Sequence, residues 1–489
     1  MAISFNGISA TLRTPGSYIE YDNSRAVQGS PEIPEVMLVI GQRLTAGTVA
    51  EATLTAVPSS DDGEVYFGHG SIIASMIETI KATSPSVELW AIALDDASGT
   101  PATGTFPFAG TATANGEVVT YIAGHRIVTA VTSGDAHTVV GPAVAAAITA
   151  YVAEHNVPVS AADSSGTVTV TCLHDGTLGN GIDLRLNYQQ GEALPAGITC
   201  VPVGMASGAT DPDMADAIAA LGNNWFTTIV SAYADDTNQD LLEDELLDRW
   251  GPMVMQDGHS FIGAIGNQAA LTALGNARNS QFTTLVGGGL SPTPAWIWAS
   301  DAAAVDAAEP DPARPRQTLL LPNCKPPALD AVFTQAERNT LLYDGVSTFT
   351  TDKIGNCYVE RFITTYQTNS LSVPDSSYLD ITTMRTLSYL RYSWRSRVNL
   401  KFPRHKLVDD GTDYGPGQAI VTPNILRAEA LALFRDTWEV KGLVEGWEQY
   451  KKDLKVERNA EDPNRVDMRM SPDLANQFRV LAGQIQFLL

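Results

Sequence analysis

The sequence is short of charge, of paired cysteines and of any long apolar run. Charged residues fill 18% of its 489 positions, against about 25% in an ordinary soluble protein. A chain of this size then leaves part of its surface to be covered by neighbours or wetted by Ser, Thr, Asn and Gln. No stretch reaches the roughly 18 apolar residues of a membrane-spanning helix, so no membrane insertion is expected. The first 18 residues have neither a basic n-region nor an apolar h-region, and no secretory leader is expected. Cys172, Cys200, Cys324 and Cys357 are far apart and form no CxxC pair. That spacing argues against a disulfide framework or a zinc site and for reduced, mostly buried thiols.

Signatures of chemistry are missing too. The seven histidines form no HxxxH or HExxH pair, so a helical metal site is unsupported. There is no GxSxG elbow and no GxxxxGK[ST] loop. Two near misses have simpler readings. Gly287, Gly288 and Gly289 follow an apparent strand, where α/β folds often hold phosphate, yet no GxGxxG pattern or nearby lysine accompanies them, and a tight turn is expected. Asp211, Asp213 and Asp216 fit no calcium loop and are expected to complement the dipole of a helix starting there. No catalytic residue, metal or cofactor is expected.

What is present is uneven. Residues 341–489 carry 19 basic and 19 acidic side chains, so the net charge of −24 lies wholly in residues 1–340. An acidic surface repels nucleic acid and anionic membranes. Arg391, Arg395 and Arg397 beside Tyr392 and Trp394 are among the densest basic spots, and they do not overturn that balance.

Periodicity gives an α/β and α+β multidomain fold with a mixed-sheet core. Residues 1–34, with Pro15-Gly16, Pro31 and Pro34, read as an extended arm, and 17–21 as an isolated strand. Short apolar runs at 36–41, 87–94, 225–230 and 261–265 alternate with helical segments, which implies a largely parallel core sheet over 35–96 and 206–325. Residues 97–205, rich in Gly, Ala, Thr and Val and free of Lys, read as a small inserted α+β or β-rich domain. The Pro-rich 309–327 reads as a linker. The remainder, 326–489, reads as a C-terminal domain with a long helix near 379–398 and a strand pair within 444–456.

The last residues alternate. Ile485, Phe487 and Leu489 fall on one side and Gln484 and Gln486 on the other. A terminus of that pattern is either an edge strand of its own domain or a strand donated to a neighbour's sheet. Tyr18, Ile19 and Tyr21 offer the same at the other end.

These ends also carry a resemblance. Arg13-x-Pro15-Gly16-x-Tyr18 resembles the start of contractile phage tail sheath proteins. Asp462 to Asp467 and Ser471 to Phe487 resemble the sheath C-terminal signature of Mu-like phages, and Gly176 to Arg185 resembles the same group. Ser471 departs by standing where another Pro is expected. The resemblance implies stacked hexameric rings in a six-start helix around a tail tube, with terminal arms exchanged between subunits and shortening that drives the tube through the host envelope. The implied partners are further copies of the chain, the tail tube protein, and baseplate and tail terminator proteins. The implied setting is a virion tail assembled in the bacterial cytoplasm. The inter-subunit strands would hold Pro15, Gly16, Tyr18, Ile19, Tyr21, Ile485, Phe487 and Leu489. An arm of about 20 residues would reach roughly 66–70 Å. The neutral C-terminal region is expected beside the tube and the acidic insertion outside. A headless bacteriocin tail or another contractile injection system, and from other classes a virion-borne enzyme or an adhesive module, stay open at this stage.

Overall fold

A computed structural model describes residues 13–19, 32–415 and 417–488. Residues 34–388 with 476–488 form one compact unit, and 389–475 lie in a second.

The larger unit is built on a nine-stranded mixed sheet. One of its inner strands is β1 (Val36–Gln42), an apolar run closed by Gln42 and buried on both faces. β1 pairs in parallel with β3 (Glu88–Leu94) on one side and β13 (Thr228–Ser231) on the other. β14 (His259–Ala264) and β15 (Thr283–Gly287) extend the parallel run beyond β13. β2 (Thr55–Ala56) closes one edge antiparallel to β3. At the other side β17 (Val346–Thr351) pairs parallel to β15, followed by antiparallel β18 (Cys357–Arg361) and the edge strand β16 (Leu320–Leu321). The sheet therefore continues past residue 326, where a domain border was expected, because the strand pair at 346–361 finds its hydrogen-bond partners on β15 and β16.

Helices α1 (Ser60–Phe67) and α2 (Ile72–Thr83) precede β3. α4 (Ala215–Leu221), α5 (Asp236–Trp250), α6 (Gln268–Asn276) and α7 (Ala295–Ala307) alternate with the later strands. α2 and α7 pack on each other and on β1, β13 and β14. Gly263 permits this approach, since a Cβ there would overlap the Ala295 carbonyl oxygen. Trp296 and Trp298 of α7 are fully buried, and their indole N–H groups reach Ser75 and Ser291 at 3.2 Å.

Residues 97–205 form small sheets of their own. β4 (Pro101–Pro107), β8 (Val159–Ser164), β9 (Thr167–Asp175) and β12 (Val203–Ala206) make one, in order β12-β4-β9-β8. β6 (Gly116–Ile122), β7 (His125–Val131) and β10 (Leu184–Leu186) make a second, and short β5 (Ala109–Gly110) pairs with β11 (Ile198–Thr199). Helix α3 (His137–Val152) covers β7 and β8.

The Pro-rich stretch is no loose linker. Arg316 is buried, and its guanidinium meets Asp306 of α7 at 2.6 Å and the carbonyls of Asp311 and Arg314 at 2.9 and 2.8 Å. α8 (Gln335–Tyr343) follows, with a complete capping box between Thr334 and Glu337. α9 (Ile381–Lys401) is the long helix expected near 379–398.

In the smaller unit, α10 (Pro423–Leu433) runs into a π-turn over Phe434–Trp438. Phe434 stacks on Tyr450 at 4.4 Å between centroids, and the buried Trp438 donates to Ser393 at 2.9 Å. The strand pair expected within 444–456 is instead a two-residue strand (Val444–Glu445), helix α11 (Trp447–Asp453) and a strand (Lys455–Arg458). Burial of Tyr450 against Phe434 outweighs the β-like local pattern. The strand Lys455–Arg458 then pairs with Val466–Arg469.

Candidate functional site: strand-end crevice, inserted-domain seam and terminal segments

An open α/β sheet binds ligands at the carboxyl ends of its strands, where neighbours lie on both sides of the first strand. Here that place lies beyond Gln42, Leu94 and Ser231, and the chain fills it itself. The fully buried Gln42 amide donates to Asp96 at 2.9 Å and to the Asp175 carbonyl at 2.8 Å. The His174 Nδ1–H donates to Asp96 at 2.8 Å while its Nε2 accepts from the Ile72 N–H at 3.2 Å, which fixes the neutral tautomer. The end of β9 thus plugs the crevice. Gly288 packs against Ile265 and Trp298, and Gly289 turns at φ +63, as a tight turn requires. The expected helix over 211–221 begins only at Ala215. Asp211 instead accepts from the Thr177 N–H and hydroxyl at 2.6 and 2.5 Å, and Asp213 accepts from the Ala215 N–H at 2.8 Å. Local hydrogen bonds to short side chains won over helix entry. Among the described residues, no group of three or more His, Cys, Asp or Glu is arranged to hold a metal ion.

A second seam joins the inserted domain to α2 and the loop after β16. His125 lies 2.9 Å from the Tyr151 hydroxyl, beside His155 and facing Lys325 and Glu78. A cavity of about 290 Å³ opens here. Its polar groups are turned on one another, since Lys325 donates to the Gly124 carbonyl and Asn156 donates to Glu64 and Glu78 at 2.8 and 3.0 Å. Burial, then the charges of Lys325 and His155, push the His125 imidazole down to about 4. A histidine held neutral in the fold is protonated first in the unfolded chain. Its stabilisation is whole above about pH 6.5 and is lost as pH falls toward 4, by about 3 kcal/mol. His69 opposes this: burial lowers its pKa, but the Val152 carbonyl and Glu64 carboxylate facing its two ring nitrogens leave it raised overall. The expected result is that H125Q loses less stability than wild type between pH 6.5 and 4 in urea melts. Parallel pH curves would contradict it.

The terminal segments are the remaining candidates. Pro15, Gly16, Tyr18 and Ile19 are exposed and in no strand, with the Tyr18 hydroxyl 3.4 Å from the Thr14 carbonyl. Tyr21 and Leu489 lie outside the described residues. Residues 480–488 are in no strand or helix and exposed throughout, Ile485 at 94% and Phe487 at 78%. No intramolecular sheet takes up the alternating Ile485 and Phe487.

What the pattern missed is where this segment begins. Gln477 donates to the Ala313 carbonyl at 2.6 Å. Arg479 donates to Asp380 at 2.9 Å and to Gln317 at 3.1 Å. Asp380 is held from its other side by Arg361 at 2.8 Å. The signal was available, since Arg479 is the one charge after Asp473.

A mixed sheet with its strand ends plugged and an apolar tail left uncovered defines a structural assembly subunit. Residues 207–365 match the phage tail sheath protein central domain, and 373–488 the phage tail sheath C-terminal domain. The chain is 44% identical over 492 aligned residues to the Mu-like prophage FluMu tail sheath protein of Haemophilus influenzae, covering all of both chains. It belongs to the phage tail sheath family. In fold it is similar to a chain of the anti-feeding prophage baseplate in its contracted state, with TM-score 0.50, 11% identity and 96% and 97% of the two chains covered. A sheath tail protein of Desulfitobacterium hafniense aligns over 95% of this chain and 97% of its own with 13% identity and TM-score 0.47.

Proposed function

We propose that this tail sheath subunit polymerises as stacked hexameric rings around a tail tube, joins a baseplate and a terminator at the two ends, and shortens to drive the tube through the host envelope. The observation that carries this is the free C-terminal segment, with Val480, Leu481, Ile485, Phe487 and Leu488 all at least 78% exposed. A soluble monomer gains nothing by holding five large apolar side chains in water, whereas a strand added to a neighbour's sheet buries them and pairs their backbone. The N-terminal segment around Pro15, Gly16, Tyr18 and Ile19, continuing to Tyr21, is the second arm. The charge-balanced region 341–489 faces the tube, and residues 97–205 are an insertion that can be removed with the core still folded. Assembly takes place in the host cytoplasm and the product is part of the virion tail. The subunit performs no catalysis, and the plugged crevice supports this. The stored energy lies in the extended lattice.

Electron microscopy of the purified full-length chain tests the reading. Tubes or stacked rings are expected at high concentration. A monodisperse monomer at every concentration, a metal bound at stoichiometric occupancy, or nucleotide hydrolysis would overturn it.

A further inference from the structure

We infer that Arg479 is the fulcrum of the C-terminal arm: its clamp on Asp380 and Gln317 fixes the point from which the arm leaves the subunit, and so sets the arm's reach. This rests on the arm reading above and adds a position and a length to it.

The geometry is a latch, not a passing surface contact. Arg479 and Asp380 are 15% and 16% exposed, and the two carboxylate oxygens of Asp380 are shared between Arg479 and Arg361. Arg361 ends β18 and Asp380 directly precedes α9, so both partners sit on rigid elements. Gln317 closes the latch twice, accepting from Arg479 at 3.1 Å and donating to the Phe478 carbonyl at 3.5 Å. Gln477 adds its bond to Ala313. Upstream of Val480 the segment is tied at three successive residues. From Val480 onward every described residue is exposed.

Two consequences follow. The nine free residues 480–488 span about 30–32 Å when extended, half the reach expected for a 20-residue arm, so the accepting sheet edge of the next subunit lies within that distance of Arg479. A fixed origin also keeps the arm's effective concentration at its acceptor high, which a slack tether loses.

The test uses the full-length chain. Deleting Ala482 and Gly483 shortens the arm by about 7 Å and, being two residues, keeps Ile485 and Phe487 on their original face. This deletion is expected to abolish polymerisation. Combined with R479A, which leaves Gln477 on Ala313 but releases residues 478–479 to restore the two residues lost, polymer should return to at least ten times the amount of the deletion alone. R479A by itself should raise the critical concentration about tenfold by loosening the origin, and R479K, which keeps the charge opposite Asp380, should fall between. Monomer melting curves of all variants confirm that they fold. A role of Arg479 in fold stability alone would produce no such suppression. A silent R479A, an assembling deletion, or a double variant as inactive as the deletion overturns the fulcrum. If truncation of 484–489 also leaves assembly intact, the arm reading itself has failed.

Discussion

Truncation after Arg479, removing 480–489, is expected to leave a folded monomer that no longer polymerises. The described residues of the segment make no strand and hold exposed apolar side chains, so the subunit loses little when they go. The assembly loses its tie. Each apolar side chain it buries contributes about 1.5–3 kcal/mol, while ordering each extended residue costs about 1–2 kcal/mol of backbone entropy. These magnitudes nearly cancel, so the arm holds only if side-chain burial and strand pairing act together. Removing the apolar half should therefore suffice, and I485S combined with F487S should block assembly almost as well as the truncation. Light scattering shows the monomer, an unchanged melting curve shows that it is folded, and sedimentation or microscopy shows the missing polymer. Normal tubes from either variant would refute donation of this strand.

Substitution of Asp306 should have the largest effect on the subunit itself. Its carboxylate is 1% exposed and lies 2.6 Å from both Arg316 and Arg385. Arg385 also donates to the Thr227 carbonyl and Thr228 hydroxyl at 2.8 and 2.7 Å, and Thr228 in turn donates to Glu35 at 2.5 Å. One carboxylate thus joins α7, the 309–327 stretch, the start of α9 and β13. Burial alone would raise its pKa, but the Arg385 and Arg316 guanidiniums overcome this and hold it well below the usual carboxylate range. D306A leaves two buried guanidiniums without their counter-charge and should cost about 3–5 kcal/mol. D306N keeps the shape but not the charge and should recover only part. A depressed pKa means the stabilisation is whole above about pH 4 and fades as pH falls through the folded value. D306A should accordingly lose the most relative to wild type at neutral pH, and the gap should narrow in acid. A loss below about 1 kcal/mol in urea melts at pH 7 would show that the network relaxes around the missing group.

Much of this protein was legible locally. The buried strands at 36–41 and 261–265 announce themselves as apolar runs, because a strand covered on both faces has little polar side to show. The helix at Ile381–Lys401 announces itself by spacing, and the alternating Ile485 and Phe487 by a face with nothing local to bury it. The terminal signatures that matched the sheath family are equally contiguous stretches of chain.

The rest depended on distance in sequence. Arg316 and Asp306 are near in the chain, but Arg385 arrives from 79 residues away, and no period or composition connects them. Proline made 309–327 look like a linker, while the tertiary fold pinned it through that carboxylate. Tyr450 lies in a segment with strand-like alternation, yet a neighbouring aromatic pocket turned it into a helix. His174 seemed one histidine among seven until the fold set it between Asp96 and the first N–H of α2. Outside the helix at Trp447–Asp453, the chain's local pattern decided most of the strands, helices and free ends, because those depend on which side chains need burial. Only the tertiary structure decided which charges meet and where the free end is tied down, because a buried ion pair is stabilised or penalised by partners that the fold alone brings within 3 Å.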